Sequence, residues 1–334
     1  MLKFVVKAVR ALLAAVLVCT NLLTPLTGDR RGKIEDAAEN CNASFVALSD
    51  THIKDNFIRQ GMLELGLADI EEAKDRPDAL VFCGDITDHG YIDMWDCFAR
   101  AMGKYDMTDN TILVEGNHDT WGPDRDDLST VKQTFIDYNK KVSGRDVSEM
   151  YYTTTIGKYP AIILGSEGDS TSATVSDTQL EWFTAEMEKA SATGLPIFVF
   201  FHQPINQTHG LPLSWEMDKD DLEKPAEGGI GDASEAVLNI IKQYKNVFYI
   251  SGHIHAGFST EDDGTIYSSV EQHDGYTLVN LPCFMYPDVK RGGNITNGTG
   301  YLFEIYDEQV MIRARNFATG TWCTKYDVTI GLTK

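Results

Sequence analysis

The side chains most able to do chemistry in this 334-residue chain fall in five short segments, each of which follows an apolar run. The segments are Asp50-Thr51-His52, Gly84-Asp85-Ile86-Thr87-Asp88, Gly116-Asn117-His118-Asp119, His202 and Gly252-His253-Ile254-His255. Five of the eight histidines in the protein lie in them. Carboxylate, amide oxygen and imidazole form a mixed oxygen and nitrogen donor set, which suits manganese, iron or zinc better than soft-ligand copper. The pattern therefore predicts a metal site assembled from several parts of the chain.

No single segment is specific by itself. An Asp-x-His or Gly-Asp pair after a strand is as compatible with an ordinary turn as with a ligand, and an isolated histidine is usually a solvated or packed residue. The repetition is what favours chemistry, because five independent turns would not be expected to carry five such sets of side chains. We therefore treat the five segments as one candidate site.

Between these segments the chain alternates short apolar runs with stretches of helical period, which indicates an α/β fold. Strands are predicted at SFVALSD, ALVFCGD, TILVEGN, PIFVFFH and NVFYISGH, with a hairpin across YYTTTIGKYPAIILGSE. Ser176 with Gln179, and Asp232 with Glu235, have the spacing of helix-capping boxes. Beyond residue 256 the pattern indicates short strands only. Ligands of open α/β sheets bind beyond the carboxyl ends of the strands, so the five segments can meet at one edge.

In their order, the motifs D-x-H, G-D-x-x-D, G-N-H-D, H and G-H-x-H resemble those of the calcineurin-like metallophosphoesterase superfamily, over about residues 44–317. The resemblance implies a four-layer αββα sandwich, in which two mixed β-sheets pack face to face and are flanked by helices. It also implies two divalent or trivalent metal ions (manganese, iron or zinc) at one edge of the sandwich. One ion would be held by Asp50, His52 and His255, the other by Asn117, His202 and His253, with Asp85 bridging the two.

Such a pair of ions would support the hydrolysis of a phosphate ester. A hydroxide bridging the dinuclear centre would attack phosphorus, and the metal charge would stabilise the phosphoryl oxygens. A proton donor opposite the nucleophile would assist the departing alkoxide. His118, beside Asn117, is our candidate for this catalytic donor, and we expect Asp119 to orient its ring. The alternative role for Asp119 is that of a loop cap.

Two details narrow the expected activity. A purple acid phosphatase would have a tyrosine at position 88, where this chain has Asp88, so its iron–tyrosine chromophore is not expected. The run GDITDHG is similar to the form common in bacterial phosphodiesterases acting on cyclic nucleotides or glycerophosphodiesters, and QLEWFTAEM is similar to a helix of that branch. The leading prediction is therefore an enzyme, a phosphodiesterase. The alternatives are a phosphomonoesterase or nucleotidase with the same site, and a non-catalytic binding protein on this fold.

The charge of the chain is unevenly distributed. The whole sequence has 29 Lys+Arg and 50 Asp+Glu, a net charge of −21, yet residues 1–33 hold six basic side chains and one acidic one. A basic start followed by the apolar run ALLAAVLVCTNLLTPL describes a secretory signal. We therefore expect residues 1–33 to be a signal peptide or N-terminal anchor, and residues 43–334 to form a single domain with a β-rich C-terminal part. The protein would then be exported and be extracellular, periplasmic or at the cell surface.

The strong acidity of the remaining chain bears on its partners. Broad negative charge without a basic stripe argues against long nucleic acid. We expect a small-molecule or lipid-linked phosphate ester as substrate, with a membrane tether through the N-terminal segment as an open alternative; the oligomeric state is also left open. The cysteines outside the leader contain no C-x-x-C pair, so a zinc knuckle is not indicated, although one disulfide stays open.

Overall fold

The computed structural model describes residues 30–32, 34, 41–168, 171–208, 228–260, 268–287 and 296–333. Of the predicted signal peptide or anchor, residues 1–33, only residues 30–32 are among those described. None of the described helices is long and apolar enough to cross a bilayer. The cysteines of the described residues, namely Cys41, Cys83, Cys97, Cys283 and Cys323, have free thiols.

The described residues form fourteen strands and five α-helices. The strands are β1 (Arg30–Arg31), β2 (Ala43–Leu48), β3 (Ala79–Cys83), β4 (Thr111–Val114), β5 (Tyr152–Ile156), β6 (Tyr159–Ile163), β7 (Ile197–Phe200), β8 (Val247–Ser251), β9 (Val270–Gln272), β10 (Tyr276–Asn280), β11 (Thr299–Ile305), β12 (Gln309–Asn316), β13 (Thr321–Trp322) and β14 (Val328–Gly331). The helices are α1 (Phe57–Glu71), α2 (Ile92–Met102), α3 (Leu128–Ser143), α4 (Asp177–Ser191) and α5 (Ser234–Ile241).

The strands make two mixed sheets. The first has the order β1-β13-β12-β11-β2-β3-β4, with β14 paired to β12, and the second has the order β5-β6-β7-β8-β10-β9. Strands β2, β3 and β4 are parallel, as are β6, β7, β8 and β10. Parallel neighbours put their carboxyl ends at the same edge of the sheet. Strand β1 pairs with β13, so the first sheet takes in two residues that the sequence analysis assigned to the leader.

Aromatic packing shows how the layers stack. Phe45 of β2 in the first sheet contacts Phe198 of β7 in the second, with ring centroids 5.1 Å apart. On the outer side of the first sheet, Phe98 of α2 packs on Phe82 of β3 at 4.9 Å. On the outer side of the second sheet, α4 contacts β6 and also α5. The order helix, sheet, sheet, helix confirms the four-layer αββα sandwich.

Two of the predicted helix starts differ in detail. The hydroxyl of Ser176 accepts a hydrogen bond from the amide of Gln179 at 3.2 Å, as expected, but the Gln179 side chain bonds to the backbone of Gly165 instead of closing the box. The prediction that Asp232 caps the next helix is wrong. Asp232 lies inside a 3₁₀ turn, and α5 begins after it at Ser234 without a side-chain cap, because that turn already supplies the first backbone hydrogen bond.

Candidate metal centre

Each of the five segments begins where a parallel strand ends. The first three follow β2, β3 and β4 of the first sheet, and the last two follow β7 and β8 of the second. Within the first sheet, the amide of Asp50 donates to the carbonyl of Gly84 at 3.1 Å; within the second, the amide of Gly252 donates to the carbonyl of His202 at 2.9 Å. Across the sheets, the amide of His253 donates to Oδ2 of Asp50 at 3.2 Å. The structure thus brings all five segments to one edge of the sandwich.

Asp50, His52, Asp85 and His255 form a first group of possible ligands, with one ligand atom from each lying within 4.8 Å of the others. Nε2 of His52 faces Nε2 of His255 at 2.9 Å, and the latter atom lies 3.4 Å from Oδ1 of Asp50. Two ring nitrogens at this distance either share a proton or direct both lone pairs at a cation. Burial lowers the pKa of His52 to about 3, which keeps this ring in the neutral form that binds metals.

Asp85, His202 and His253 form a second group with the same compactness. Nε2 of His202 lies 3.2 Å from Nδ1 of His253 and 3.2 Å from Oδ1 of Asp85. The other ring nitrogen of His202 donates to the carbonyl of Cys83 at 2.8 Å, so Nε2 is the nitrogen that faces His253 and Asp85. Oδ2 of Asp85 lies 3.7 Å from Nε2 of His52. The two oxygens of Asp85 therefore face different groups, as a bridging ligand requires.

The remaining predicted ligand, Asn117, is the first residue of a 3₁₀ turn that follows β4. Its side chain is buried, and its Oδ1 has no hydrogen-bond partner among the described residues. An unpaired buried acceptor costs about 1–3 kcal/mol, and a bound cation would satisfy it. The next amide, that of His118, donates to Oδ1 of Asp85 at 2.8 Å, which places the turn beside the second group. The donor set therefore fits a pair of cations of the manganese, iron or zinc type.

The backbone is strained at most of these positions. The left-handed residues among them are Asp50 (φ 57°), His52 (φ 42°), Asp85 (φ 48°), His253 (φ 74°) and His255 (φ 52°). A residue other than glycine in a sparsely populated region costs of order 1–3 kcal/mol and persists only where its surroundings fix it. Such strain concentrates at functional sites, so its coincidence with the candidate ligands supports their assignment to one site.

Two glycines of the motifs allow the segments to approach each other. A Cβ at Gly84, where φ is +85°, would overlap the imidazole ring of His202. A Cβ at Gly116 would overlap the backbone amide and the carboxylate of Asp85. Glycine is required at both positions because a larger residue would push the second and third segments out of the centre.

The ring of His118 directs one nitrogen at the candidate centre. Its Nδ1 donates to the carbonyl of Asp88 at 2.7 Å, so its Nε2 is the nitrogen that faces the centre, 3.9 Å from Oδ2 of Asp85. The ring packs against Trp121 with centroids 4.0 Å apart. The side chain of His118 is 22% exposed, so it can be reached from solvent.

Asp119 does not have the partners that the sequence analysis expected. Its carboxylate accepts hydrogen bonds of 2.7–3.1 Å from two loops, namely from the amides of Ile86, Thr87 and Gly116 and from the hydroxyl of Thr87. Both of its oxygens are used in this way, and the ring of His118 is oriented by the carbonyl of Asp88. The expected orienting contact is thus replaced by the loop-capping alternative, because the buried amides of the turn need an acceptor.

Sequence reasoning missed a cationic pair behind His52. Nζ of Lys54 donates to Oδ2 of Asp88 at 2.7 Å, and Nη1 of Arg59 donates to Oδ1 of Asp88 and to the carbonyl of His52, the latter at 2.6 Å. Burial raises the pKa of Asp88, but the hydrogen bonds from Lys54 and Arg59 outweigh it and lower that pKa to about 2. The sequence signal was weak, since basic residues after a D-x-H motif are ordinarily solvated.

Comparisons with known proteins agree with this geometry. The family model described as calcineurin-like phosphoesterase matches residues 43–257. A protein of Arcobacter nitrofigilis named "Probable glycerophosphodiester phosphodiesterase" is 23% identical over 225 residues, which cover 63% of this chain and 71% of that protein. A "Probable cyclic nucleotide phosphodiesterase" of Pseudoalteromonas sp. is 24% identical over 190 residues, which cover 57% of this chain and 60% of that protein.

A solved structure shares the fold. The dimetal phosphatase of Danio rerio superposes with a TM-score of 0.57 at 15% identity, over 88% of this chain and 100% of that one. At this identity the similarity shows the αββα architecture alone. The family model, in contrast, covers well over half of the sequence and includes all five motif segments. The chain therefore belongs to the calcineurin-like phosphoesterase family.

Proposed function

We propose that the protein is a phosphodiesterase that hydrolyses a phosphate ester at a pair of metal ions. The observation that carries this proposal is the position of Asp85, whose Oδ1 lies 3.2 Å from Nε2 of His202 and whose Oδ2 lies 3.7 Å from Nε2 of His52. One carboxylate between two sets of histidines suits two cations held side by side. The first ion would be held by Asp50, His52, Asp85 and His255, the second by Asp85, Asn117, His202 and His253.

The ions would supply positive charge that stabilises the phosphoryl oxygens. They would also lower the pKa of a water molecule, so that it can lose a proton and act as the nucleophile near neutral pH. The residues of the chain do the rest. His118 keeps its Nδ1 proton on the carbonyl of Asp88 and holds Nε2 towards the centre, where it can protonate the departing oxygen. Trp121 packs on the ring and limits its rotation. Asp119 fixes the loops that carry Asp85 and His118 by accepting their amides.

The preference for a diester rests on sequence relationships. Two relatives carry the names of phosphodiesterases, one for glycerophosphodiesters and one for cyclic nucleotides. Position 88 is an aspartate, and the run GDITDHG that contains it is similar to the form common in that branch. We propose a small-molecule or lipid-linked phosphate ester as the substrate, hydrolysed outside the cytoplasm by a protein exported through residues 1–33.

Substrate comparison on metal-reconstituted protein tests this function. The protein is stripped with a chelator, reloaded with Mn²⁺, Zn²⁺ or Fe²⁺, and assayed on bis-p-nitrophenyl phosphate and p-nitrophenyl phosphate. We expect activity only after reloading. We also expect a higher kcat/KM on the diester than on the monoester, because the phosphate group of a diester carries one negative charge fewer and is repelled less by this acidic protein.

Each other outcome has a defined meaning. A higher kcat/KM on the monoester would assign the site to a phosphomonoesterase or nucleotidase. Inactivity on both esters with two bound ions per chain would contradict the hydrolase proposal and favour the binding-protein alternative.

A further inference from the structure

Arg59 lies in the first turn of α1, outside the five motif segments, yet its side chain reaches three loops around the candidate centre. Its Nη1 donates to the carbonyl of His52 at 2.6 Å and to Oδ1 of Asp88, and its guanidinium lies 4.8 Å from the ring centroid of Tyr286. The Tyr286 loop is itself tied to the centre, since the neighbouring amide of Met285 donates to the carbonyl of Asp50 at 3.1 Å. The side chain is only 12% exposed.

The bond to His52 acts on a strained residue. His52 has a φ of 42°, and its amide donates to the carbonyl of Asp85 at 2.9 Å. The second motif loop therefore fixes the amide of His52, and Arg59 fixes its carbonyl. Because the peptide groups on both sides of His52 are held, the direction of its Cα–Cβ bond is fixed. The ring is therefore held with its Nε2 2.9 Å from Nε2 of His255. Without Arg59 the carbonyl is free to turn and relieve the strain, which moves the ring away from His255.

Asp88 keeps the guanidinium in place. Its Oδ1 accepts from Arg59 while its Oδ2 accepts from Lys54 at 2.7 Å and lies 3.2 Å from Nδ1 of His89, so both oxygens have partners. The negative charge of Asp88 also offsets the charge of Arg59, so the arginine adds little repulsion to a cation bound nearby. Oδ1 of Asp88 lies 3.9 Å from Nδ1 of His52, which is too long for a hydrogen bond, so the direct mechanical link to His52 is made by Arg59.

We propose that Arg59 is a positioning residue for the metal position formed by Asp50, His52 and His255. It touches neither ion nor substrate and acts through the main chain of His52. The inference rests on the metal pair proposed above, and it concerns one half of that pair. It therefore predicts a loss of affinity at one metal position and unchanged affinity at the other.

Titration of metal-free variants with zinc, with the binding affinity measured by calorimetry, tests this inference. In a His253→Ala background, which leaves the first position, Arg59→Ala should weaken zinc binding about 10–100-fold, the effect of removing an outer partner of a ligand. In a His255→Ala background, which leaves the second position, it should change the affinity less than about twofold. Arg59→Lys should restore most of the binding, because an ammonium group can donate to both acceptors.

Two matched variants separate positioning from general stability. Arg76→Ala removes an arginine of similar type that pairs with Asp106 on the surface, and should leave both affinities unchanged. Lys54→Ala removes a different partner of Asp88 but keeps the bond to His52, and should have a smaller effect than Arg59→Ala. Thermal unfolding of each variant shows that it is folded; should Arg59→Ala fail to fold, Arg59→Met and Arg59→Lys are compared instead.

The inference is overturned if Arg59→Ala leaves the first position unchanged or weakens both positions equally. A wild-type protein that binds two zinc ions while Arg59→Ala binds them equally well contradicts the role of Arg59 alone. A wild-type protein that binds fewer than two ions contradicts the proposed function as well.

Discussion

The two sheets meet in two regions of opposite character. Between their faces, Phe45 stacks on Phe303 with ring centroids 4.4 Å apart and meets Phe198 edge-on at 5.1 Å, and all three rings are fully buried. At the carboxyl edge, strands β2 and β3 are followed by buried residues such as Asp50 and Asp85 that carry charge and have positive φ. The interior gains free energy by removing apolar surface from water, whereas the edge loses it through strain and desolvation.

The edge depends on the interior, and the interior does not depend on the edge. The strained edge keeps its geometry because strands anchored in the apolar interior hold the ends of the loops. The interior needs nothing from the chemistry of the edge. Substitutions of the candidate ligands at the edge should therefore change activity with little change in stability, and substitutions in the interior should do the reverse.

The largest expected effect is that of Asp85→Asn at the edge. The asparagine keeps the shape but lacks the charge needed between two cations, so kcat/KM on bis-p-nitrophenyl phosphate should fall by more than the ~10²–10⁴-fold that a general acid supplies. The Tm of the metal-free protein should change by no more than a few degrees, and metal ions should no longer raise it. Asp106→Asn, at an exposed ion pair, is the control. An Asp85→Asn protein of near wild-type activity would refute the bridging role.

His118→Ala should have the next largest effect, and the loss should depend on the leaving group. An alkyl ester needs protonation of the departing oxygen, so its kcat/KM should fall about 10²–10⁴-fold, while p-nitrophenol leaves well unaided and should lose much less. The ratio of the two losses is the measurement. Equal losses on both esters would mean that His118 holds the loop and does not donate a proton.

Phe45→Ala tests the interior side of the comparison. Removing a fully buried ring between the two sheets should lower the free energy of unfolding by about 3–5 kcal/mol. The kcat/KM per folded molecule should stay near the wild-type value. Urea denaturation and an assay on folded protein provide the two numbers. Phe57→Ala, at a position that is 65% exposed, should change stability by less than about 0.5 kcal/mol. Loss of activity in folded Phe45→Ala protein would break the proposed independence of the two regions.

Asp88→Asn should cause the smallest change of the four, a loss in the free energy of unfolding whose size depends on pH. Burial raises the pKa of Asp88, but Lys54 and Arg59 lower it to about 2, below the ordinary value of 3.8. A depressed carboxylate pKa adds stability that is fully present above about pH 4 and is lost as the pH falls towards 2. The difference in unfolding free energy between wild type and variant should shrink over this range in urea denaturation series. A difference that is constant from pH 7 to pH 3 would show that the ion pairs do not stabilise the loop.

Much of the site could be predicted because its determinants are local. Each motif contains side chains that can bind metal, and each follows an apolar strand. Because ligands of open α/β sheets bind beyond the carboxyl ends of the strands, this pattern alone predicts that Asp50, Asp85 and His202 lie at one site. The alternation of strands and helices predicted the α/β class, and the resemblance of the motifs to the family predicted the αββα sandwich. The signal peptide or anchor at residues 1–33 and export remain predictions.

The misses share one physical cause. Asp119 was expected to orient His118, but the amides of the turn claim its carboxylate, and the carbonyl of Asp88 orients the ring. The residue types give no signal for the role of Arg59, because that role arises from a contact between the first turn of a helix and a main-chain carbonyl of a strained residue. Backbone groups carry no sequence signature, so partners that bind to them cannot be identified from residue types.

The residue types and their order along the chain specify which donors are available and the edge at which they gather. The packing of the two sheets sets how the donors face each other: which oxygen of Asp85 turns to which histidine, and how close Nε2 of His52 comes to Nε2 of His255 across 203 residues of chain. The reason is that a residue's chemistry is set by its own side chain, whereas its direction is set by a φ angle and by contacts that only the packed sheets impose.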